Sequence, residues 1–180
     1  NYPGIVEFSL DNIRTTRRDD WGRYAMGAAK IIQEHMPIEV GFTGAITGSL
    51  PASGLSSSAS VGLAYLKALS HLNNYNLTPD QYVSLDSGIE NKYLKLQNGI
   101  LDQSSIIYGR KDQLLYIDTK SKKVIEHPRS ESGEKFKILI LYAGLSHELT
   151  SSGFNERVEA CKRTAGLLGL MGGLKYPSLL

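Results

Sequence analysis

The sequence predicts an α+β fold built around one hydrophobic core. Helical and strand patterns follow one another in the order αβααα(short)βββα, without the regular βαβ alternation of a parallel sheet. The chain has 180 residues, of which 41% are hydrophobic and 21% charged, an ordinary composition for a globular domain. No internal repeat, linker or low-complexity segment divides it, so we expect residues 1–180 to form a single domain.

Hydrophobic spacing predicts four helices and one strand in the first part of the chain. The helices are expected at about residues 20–36, from just after Ser58 to Leu72, from about 79 to 93, and near 102–108. The sequence Thr78-Pro79-Asp80-Gln81 has the capping-box pattern with proline in the first turn, which marks the start of the third helix. Between the first two helices, apolar and polar residues alternate from Ile38 to Thr47, which predicts a half-buried strand.

The second part of the chain is expected to contain three strands and a last helix. Leu114 to Asp118 has the pattern of a buried strand, and Lys123 to His127 follows as its hairpin partner. Phe136 to Tyr142 is expected to be a third strand, with lysines only near its start. Asn155 to Leu168 has helical spacing.

Composition excludes several classes of protein. No run of about 18 apolar residues is present, so no membrane span is expected. The single cysteine, Cys161, cannot form an internal disulfide, and no secretory signal is recognisable, so a reducing cytosol is expected. The four histidines are too scattered for a Cys/His zinc cluster. The net charge is +2 without a basic block, which argues against nucleic acid but leaves an anionic small ligand open.

A segment rich in glycine and serine, from Gly48 to Ser58, leads directly into the second predicted helix. Free N–H groups and the helix dipole at such a helix N-terminus favour an anion. Ser56, Ser57 and Ser58 add hydroxyls that can bind phosphate or Mg²⁺. The segment is not a Walker A loop, because no Gly-Lys-Ser/Thr follows, and it lacks the second glycine of a nucleophile elbow. A serine-rich helix cap is the alternative interpretation.

Two acidic positions are further candidates. Glu90 lies one helical turn after Asp86; a solvated helix face tolerates such a pair at a cost of about 0.2–0.5 kcal/mol, and a bound divalent cation would reverse the sign of that cost. Asp102 opens the short helix after Gly99, where it is either an N-cap or a carboxylate directed at a substrate hydroxyl. In isolation, the spacing favours a solvated pair and an N-cap.

Taken together, these segments resemble the galactokinase family of the GHMP kinases. Pro51 to Ser60 is similar to the galactokinase form of the second GHMP motif, and Glu90 to Tyr93 followed by Gly99 to Gln103 resembles the galactokinase Glu-Asn…Gly-Ile-Met-Asp-Gln block. Further agreement comes from Trp21, Tyr24 and Gly27, and from Asn155 to Cys161. The resemblance covers residues 20–169. It implies the GHMP-kinase N-terminal domain fold (ribosomal protein S5 domain 2-like), a mixed sheet packed against helices.

The resemblance implies roles for the matched positions. Ser58 and Glu90 would hold Mg²⁺, and Asp102 would be the catalytic residue that accepts the proton from, or orients, the anomeric hydroxyl. The sugar would contact Gly99, Asp102 and Phe154, and Phe154 stands where galactokinases usually have tyrosine. The residues that would bind the ATP phosphates are Pro51, Gly54, Leu55, Ser56, Ser57, Ser58 and Ala59.

The implied function is that of an ATP-dependent sugar 1-kinase with ATP and Mg²⁺ as cofactors, acting on galactose or a close relative. The expected protein is a cytoplasmic monomer whose partners are a small-molecule sugar and ATP, with no nucleic acid and no membrane. One alternative is a galacturonate or arabinose 1-kinase, because Glu90 to Ser104, with Leu101 for the usual Met and Asn98 for the usual Cys, resembles the galacturonate 1-kinase branch. Others are a non-catalytic sugar/ATP sensor and a kinase of another GHMP branch.

Two motifs of the family are absent from this chain. The block with the catalytic arginine would precede Asn1, and the third, glycine-rich phosphate motif would follow Leu180. We therefore expect an N-terminal ATP-binding domain without its first motif and without the C-terminal domain, inactive or nearly so by itself. A uronate would need a cation near C6, which either Arg157 or the preceding segment would supply. Among the other side chains, Trp21, Tyr24, Tyr65 and Cys161 are expected to be buried, and His147 to lie on a surface loop.

Overall fold

The computed structural model describes residues 4–14, 21–48, 54–129, 137–141 and 153–172. The elements in these ranges are α1 (Arg23–Gln33), α2 (Ser57–Leu72), α3 (Pro79–Gly88), a π-helical turn (Ile89–Tyr93), α4 (Leu101–Tyr108), β1 (Gln113–Asp118), β2 (Lys123–Pro128) and α5 (Phe154–Gly172). The fold class is α+β, as predicted. All predicted helices are present, with ends that differ by a few residues from those expected.

The hydrophobic core lies between α1 and α2, and α3 with its π-helical turn packs beside them. Ile32 and Leu66, one from each of the first two helices, have no exposed surface. Gly27 of α1 lies so close to the π-helical turn that a Cβ there would stand 2.9 Å from Cγ2 of Ile89. The small side chains of α1 therefore allow the π-helical turn, and with it Glu90, to approach the first helix.

The start of α3 is determined by the capping box that the sequence predicts. The Thr78 hydroxyl accepts the Gln81 N–H at 3.3 Å, and the Gln81 side-chain oxygen accepts the Thr78 N–H at 2.7 Å. Pro79 occupies the first helical position, where its missing N–H leaves no bond unmade. Because the helix start is defined locally, the sequence also determines the position of Asp86 on α3 and of Glu90 in the π-helical turn that follows.

The helix does not end as a regular α-helix. The Leu94 N–H bonds to the Ile89 carbonyl at 2.9 Å, five residues back, which is the π-helical pattern. Leu96 then donates to the Glu90 carbonyl at 2.9 Å, and Lys95 between them is left-handed with φ 59°. Single π-helical turns of this kind are frequent at functional sites. Here the turn redirects the chain from α3 toward α4.

The predicted hairpin is present. β1 pairs antiparallel with β2, with Gln113 opposite Pro128 and Asp118 opposite Lys123. The loop is stabilised by the Asp118 carboxylate, which accepts the Ser121 hydroxyl at 2.6 Å and the backbone N–H groups of Lys120 and Ser121 at 3.0 and 3.3 Å.

The strand predicted from Ile38 to Thr47 is wrong. Residues 37–48 have no regular secondary structure and pair with no described strand. Ile38 is buried, but Phe42 and Ile46 are 44% and 52% exposed. The Asn73 side-chain amide replaces a neighbouring strand, because it bonds to both the N–H and the C=O of Val40. The third predicted strand is not present either: residues 137–141 are irregular and exposed, and Phe136 and Tyr142 lie outside the described residues.

The predictions for single side chains have mixed outcomes. Tyr65 is buried in the core as expected, whereas Trp21 is only half-buried. The prediction that Cys161 is buried is wrong: its side chain is exposed. In α5, Val158 is buried but residues 159–164 are all exposed, so the packed part of this helix ends before the cysteine. His147 lies outside the described residues.

Candidate functional site

The N-terminus of α2 has features that favour a bound anion. The chain enters the helix through two left-handed residues, Gly54 with φ 71° and Ser56 with φ 53°. The bond from the Ser60 N–H to the Ser56 carbonyl is 3.0 Å long and closes the first turn, so the N–H groups of residues 57–59 have no acceptor within the helix. The Ser56 side chain does not cap them, and the first turn carries no acidic residue. Both features favour a bound anion.

The other predicted phosphate-binding residues differ in what they can offer. Leu55 is 40% exposed, and the side chains of Ser57 and Ser58 are partly exposed. Ala59 has no exposed surface, so its side chain belongs to the core and only its backbone can serve a ligand. Pro51 lies outside the described residues.

Glu90 has a buried carboxylate of which only one oxygen, Oε2, is hydrogen-bonded within the described residues. Its side chain is 2% exposed, and Oε2 accepts a hydrogen bond from Gln103 Nε2 at 2.8 Å and another from Asn98 Nδ2 at 3.0 Å. Oε1 is equally buried and has no hydrogen-bond partner. A buried oxygen without a donor is costly, so Oε1 is the oxygen of Glu90 at which a further bond would be most favourable.

Asp86 is the second buried carboxylate, one turn before Glu90. It is 1% exposed, neither of its oxygens has a hydrogen-bond partner by distance and angle, and its Oδ1 lies directly against Gly62 of α2. Burial, reinforced by the negative charge of Glu90, raises the pKa of Asp86 to about 8, and the Gln103 side chain partly opposes this shift. The interpretation of this acidic pair as a solvated helix face is therefore wrong: the fold buries both carboxylates.

Tyr24 lies near both the first turn of α2 and these carboxylates. Ser58, Glu90 and Asp86 are all close enough to affect the pKa of its hydroxyl group. Burial raises the pKa of Tyr24, Arg23 opposes the shift, and the charge of Glu90 adds to it. The sequence suggests only a core role for this tyrosine, whereas in the structure both Ser58 and Glu90 lie near enough to influence its hydroxyl group.

Asp102 lies in the first turn of α4 but is not its N-cap. The N-cap is Ile100, which makes no side-chain capping bond, so the N-cap interpretation is wrong. The carboxylate is partly exposed, and its charge contributes to the raised pKa of Asp86. Gly99 is exposed, with no atom within 4 Å of the position that a Cβ would occupy. Open space therefore adjoins the turn that leads to Asp102.

The N-terminus of α5 lies against the segment that precedes Gly99. The Asn155 side chain accepts the Gln97 N–H at 2.9 Å and donates to the Lys95 carbonyl at 2.8 Å. Phe154, the predicted sugar contact, is the first residue of this helix and is partly exposed. Asn155 thus holds Phe154 near the segment that carries Gly99 and Asp102.

The structure brings most of the predicted site residues to one region and adds residues that the sequence analysis did not assign. In the sequence, Asn98 and Gln103 are only parts of a motif. Their contacts with Glu90 depend on tertiary structure. The sequence shows that Asp86 lies one helical turn before Glu90, but no neighbouring residue indicates that Asp86 is buried. Tyr24 belongs to the spacing of Trp21, Tyr24 and Gly27 that resembles the family. This pattern assigns no role to its hydroxyl group.

Glu90 and Ser58 are the residues that could hold a divalent cation. No cluster of three or more His, Cys, Asp or Glu is found in the part of the chain that the structure describes. Mg²⁺ does not require one, because it commonly takes one or two carboxylates together with substrate phosphates. The unpartnered Oε1 of Glu90 and the Ser58 hydroxyl are oxygen ligands that suit Mg²⁺, and both residues affect the pKa of Tyr24. The residues therefore fit Mg²⁺.

Comparison with known proteins gives consistent matches. The family model described as GHMP kinases N terminal domain matches residues 23–110. A galacturonokinase of Arabidopsis thaliana is 41% identical over 154 residues, which are 82% of this chain and 36% of the relative. A galactokinase of Pyrococcus furiosus is 36% identical over 166 residues, which are 90% of this chain and 45% of the relative.

A solved structure has the same fold. It is the galactokinase of Lactococcus lactis complexed with galactose, with a TM-score of 0.71 and 27% sequence identity over 97% of this chain and 44% of that one. This chain thus spans less than half the length of the relatives named here. Among the residues described, no helix is both long and apolar enough to cross a membrane.

Proposed function

This chain belongs to the GHMP kinases, and we propose that the protein containing it is an ATP-dependent sugar 1-kinase of galactokinase type. It transfers the γ-phosphoryl group of ATP to the anomeric hydroxyl of galactose or a close relative. The observations that carry the proposal are the buried carboxylate of Glu90, whose Oε1 has no hydrogen-bond partner, and the N-terminus of α2, whose first N–H groups have no acceptor within the helix. Ser58 in that first turn and Glu90 both affect the pKa of Tyr24, so the proposed phosphate and cation sites lie near each other.

The nucleotide end of the site is formed by residues 54–58. Their left-handed entry and the free N–H groups of the first turn of α2 can surround the phosphates of ATP. Mg²⁺ bound by Glu90 Oε1 and Ser58 would neutralise negative charge on these phosphates. Tyr24 lies close to Ser58, which lowers the pKa of the tyrosine hydroxyl.

Asp102 is the residue that we assign to the acceptor hydroxyl. Asp102 is next in sequence to Gln103, whose side chain hydrogen-bonds to Glu90. The proposed position of the acceptor hydroxyl is therefore close to the proposed position of the cation. Phosphoryl transfer has a loose transition state, in which orientation of the nucleophile matters more than a strongly basic group. A carboxylate in the first turn of α4, beside the open space at Gly99, suits that task.

Galacturonate is the second candidate substrate. The galacturonokinase of Arabidopsis thaliana has the higher identity of the two relatives, 41% against 36%. The resemblance of residues 90–104 to the galacturonate 1-kinase branch also favours it. A uronate carboxylate requires a cationic partner. Arg157 is exposed at the start of α5, three residues after Phe154, and is the candidate within the described residues.

The test is a substrate panel with the full-length protein, ATP and Mg²⁺. ADP release is followed with galactose, galacturonate, arabinose and N-acetylgalactosamine, and the product is identified as a 1-phosphate by ³¹P NMR. We expect turnover with galactose or galacturonate well above that with the others. Absence of ADP release with every sugar, in a protein that binds ATP, would contradict the proposal and favour a non-catalytic sensor.

A further inference from the structure

We propose that Asn98 and Gln103 are positioning residues that select which oxygen of Glu90 is offered to the nucleotide-bound cation. Together they form an amide clamp on Oε2 and leave Oε1 free to bind the metal. The inference deepens the proposed function and rests on it only in requiring a cation beside a bound nucleotide.

The two amides act on the same atom. Gln103 Nε2 donates to Oε2 at 2.8 Å and Asn98 Nδ2 donates to Oε2 at 3.0 Å. A carboxylate oxygen has about two lone-pair positions, so two donors saturate it. Oε1 receives no hydrogen bond and has essentially no accessible surface. The carboxylate is therefore asymmetric, with one oxygen that two donors occupy and one oxygen without a hydrogen bond.

The surroundings of Glu90 offer no amide donor to Oε1. Besides Oε1, the buried side-chain atoms without partners in the described residues are both oxygens of Asp86, Gln103 Oε1 and the Ser104 hydroxyl. All are oxygens, and the hydroxyl of Ser104 is the one group among them that always carries a hydrogen. None of these atoms is cationic, so a metal ion would balance the buried charge of Glu90.

The clamp is itself held in place. Asn91 Nδ2 donates to the Asn98 carbonyl at 3.1 Å and to the Ser87 hydroxyl at 3.0 Å, which connects the Asn98 backbone to α3. Gln103 has no exposed surface and lies in the first turn of α4. The two donors thus come from two different segments, and they fix the rotation of the Glu90 carboxylate before any metal arrives.

Mn²⁺ binding is the direct test, because Mn²⁺ replaces Mg²⁺ and is visible by EPR. The dissociation constant of Mn²⁺ is measured for the full-length protein saturated with ADP, without sugar, in the wild type and in the variants Asn98→Ala and Gln103→Met. ADP affinity is measured separately in EDTA. Thr78→Ala is the matched control, because it removes the cap at the other end of α3 without touching Glu90.

We expect each clamp variant to weaken Mn²⁺ binding about tenfold or more, which is the usual effect of losing a partner of a metal-ligating group. Metal-free ADP affinity should stay within about twofold, and Thr78→Ala should bind Mn²⁺ like the wild type. A general loosening of the fold would change ADP affinity as well, so the ratio of the two constants separates positioning from structure.

Unchanged Mn²⁺ affinity in both clamp variants would overturn the inference. Should buried Gln103→Met fail to fold, Asn98→Ala decides alone, since Asn98 is only partly buried. A wild-type protein that binds ADP without binding Mn²⁺ would also overturn it, because Glu90 would then have no cation to hold. The kinase proposal fails on a different measurement, the absence of ADP release across the sugars.

Discussion

Replacement of Asp86 by asparagine should change how the stability of this protein depends on pH. Asp86 is 1% exposed, and burial together with the charge of Glu90 raises its pKa from 3.8 to about 8. The nearby charge of Asp102 acts in the same direction, and the Gln103 side chain opposes it. Between these two pKa values the unfolded carboxyl is ionised while the folded one keeps its proton. The folded state then binds one proton more than the unfolded state.

The sign and size of the effect follow from this difference. Stability contributed by Asp86 is greatest below about pH 4 and is lost as the pH rises toward about 8, at up to about 1.4 kcal/mol per pH unit. Between pH 5 and pH 8 the loss amounts to about 3 to 4 kcal/mol. The neutral amide of Asp86→Asn does not titrate, so the variant should gain stability relative to the wild type across this range.

The measurement is the melting temperature of the full-length wild type and of Asp86→Asn at pH 5, 6, 7 and 8, in EDTA and without nucleotide. The difference between the two should grow steadily in favour of the variant, by roughly 6–16 °C in total, since 1 kcal/mol corresponds to roughly 2–4 °C for a domain of this size. Asp112→Asn, at an exposed loop position, controls for the loss of any carboxylate. A difference that stays constant with pH would refute the reasoning.

Two other predictions follow from the geometry. Asp102→Asn should reduce phosphoryl transfer by about 10²-fold or more while leaving ATP affinity unchanged, measured by ADP release and nucleotide titration against Asp112→Asn; retained turnover would remove Asp102 from its proposed role. Gly62→Ala should destabilise the protein by about 1–3 kcal/mol, because the added Cβ overlaps the Asp86 carboxylate. Gly166→Ala on α5 is the matched control, since a Cβ there meets nothing within 4 Å, and equal melting temperatures for the two glycine variants would contradict the close contact.

Features that depend on neighbours in the chain were predictable from the sequence. The capping box at Thr78 and Gln81 forms as expected, because both hydrogen bonds join residues three apart. The hairpin of β1 and β2 also follows from local pattern and a short loop. The segment from Ile38 to Thr47 shows the limit of such reasoning. Alternation describes which side chains could face a core, but a strand needs a partner, and in this segment Asn73 takes the hydrogen bonds of Val40 instead.

The candidate site divides in the same way. The chemical groups can be read from the amino-acid sequence: a glycine- and serine-rich entry to a helix, the carboxylates of Glu90 and Asp102, and their likeness to one family of kinases. Folding is what buries Glu90, brings two amides to one of its oxygens, and places it near enough to Tyr24 to raise the pKa of that tyrosine. The physical reason is that residue type and spacing are local, whereas burial, hydrogen-bond partners and pKa depend on groups that folding brings from distant parts of the chain.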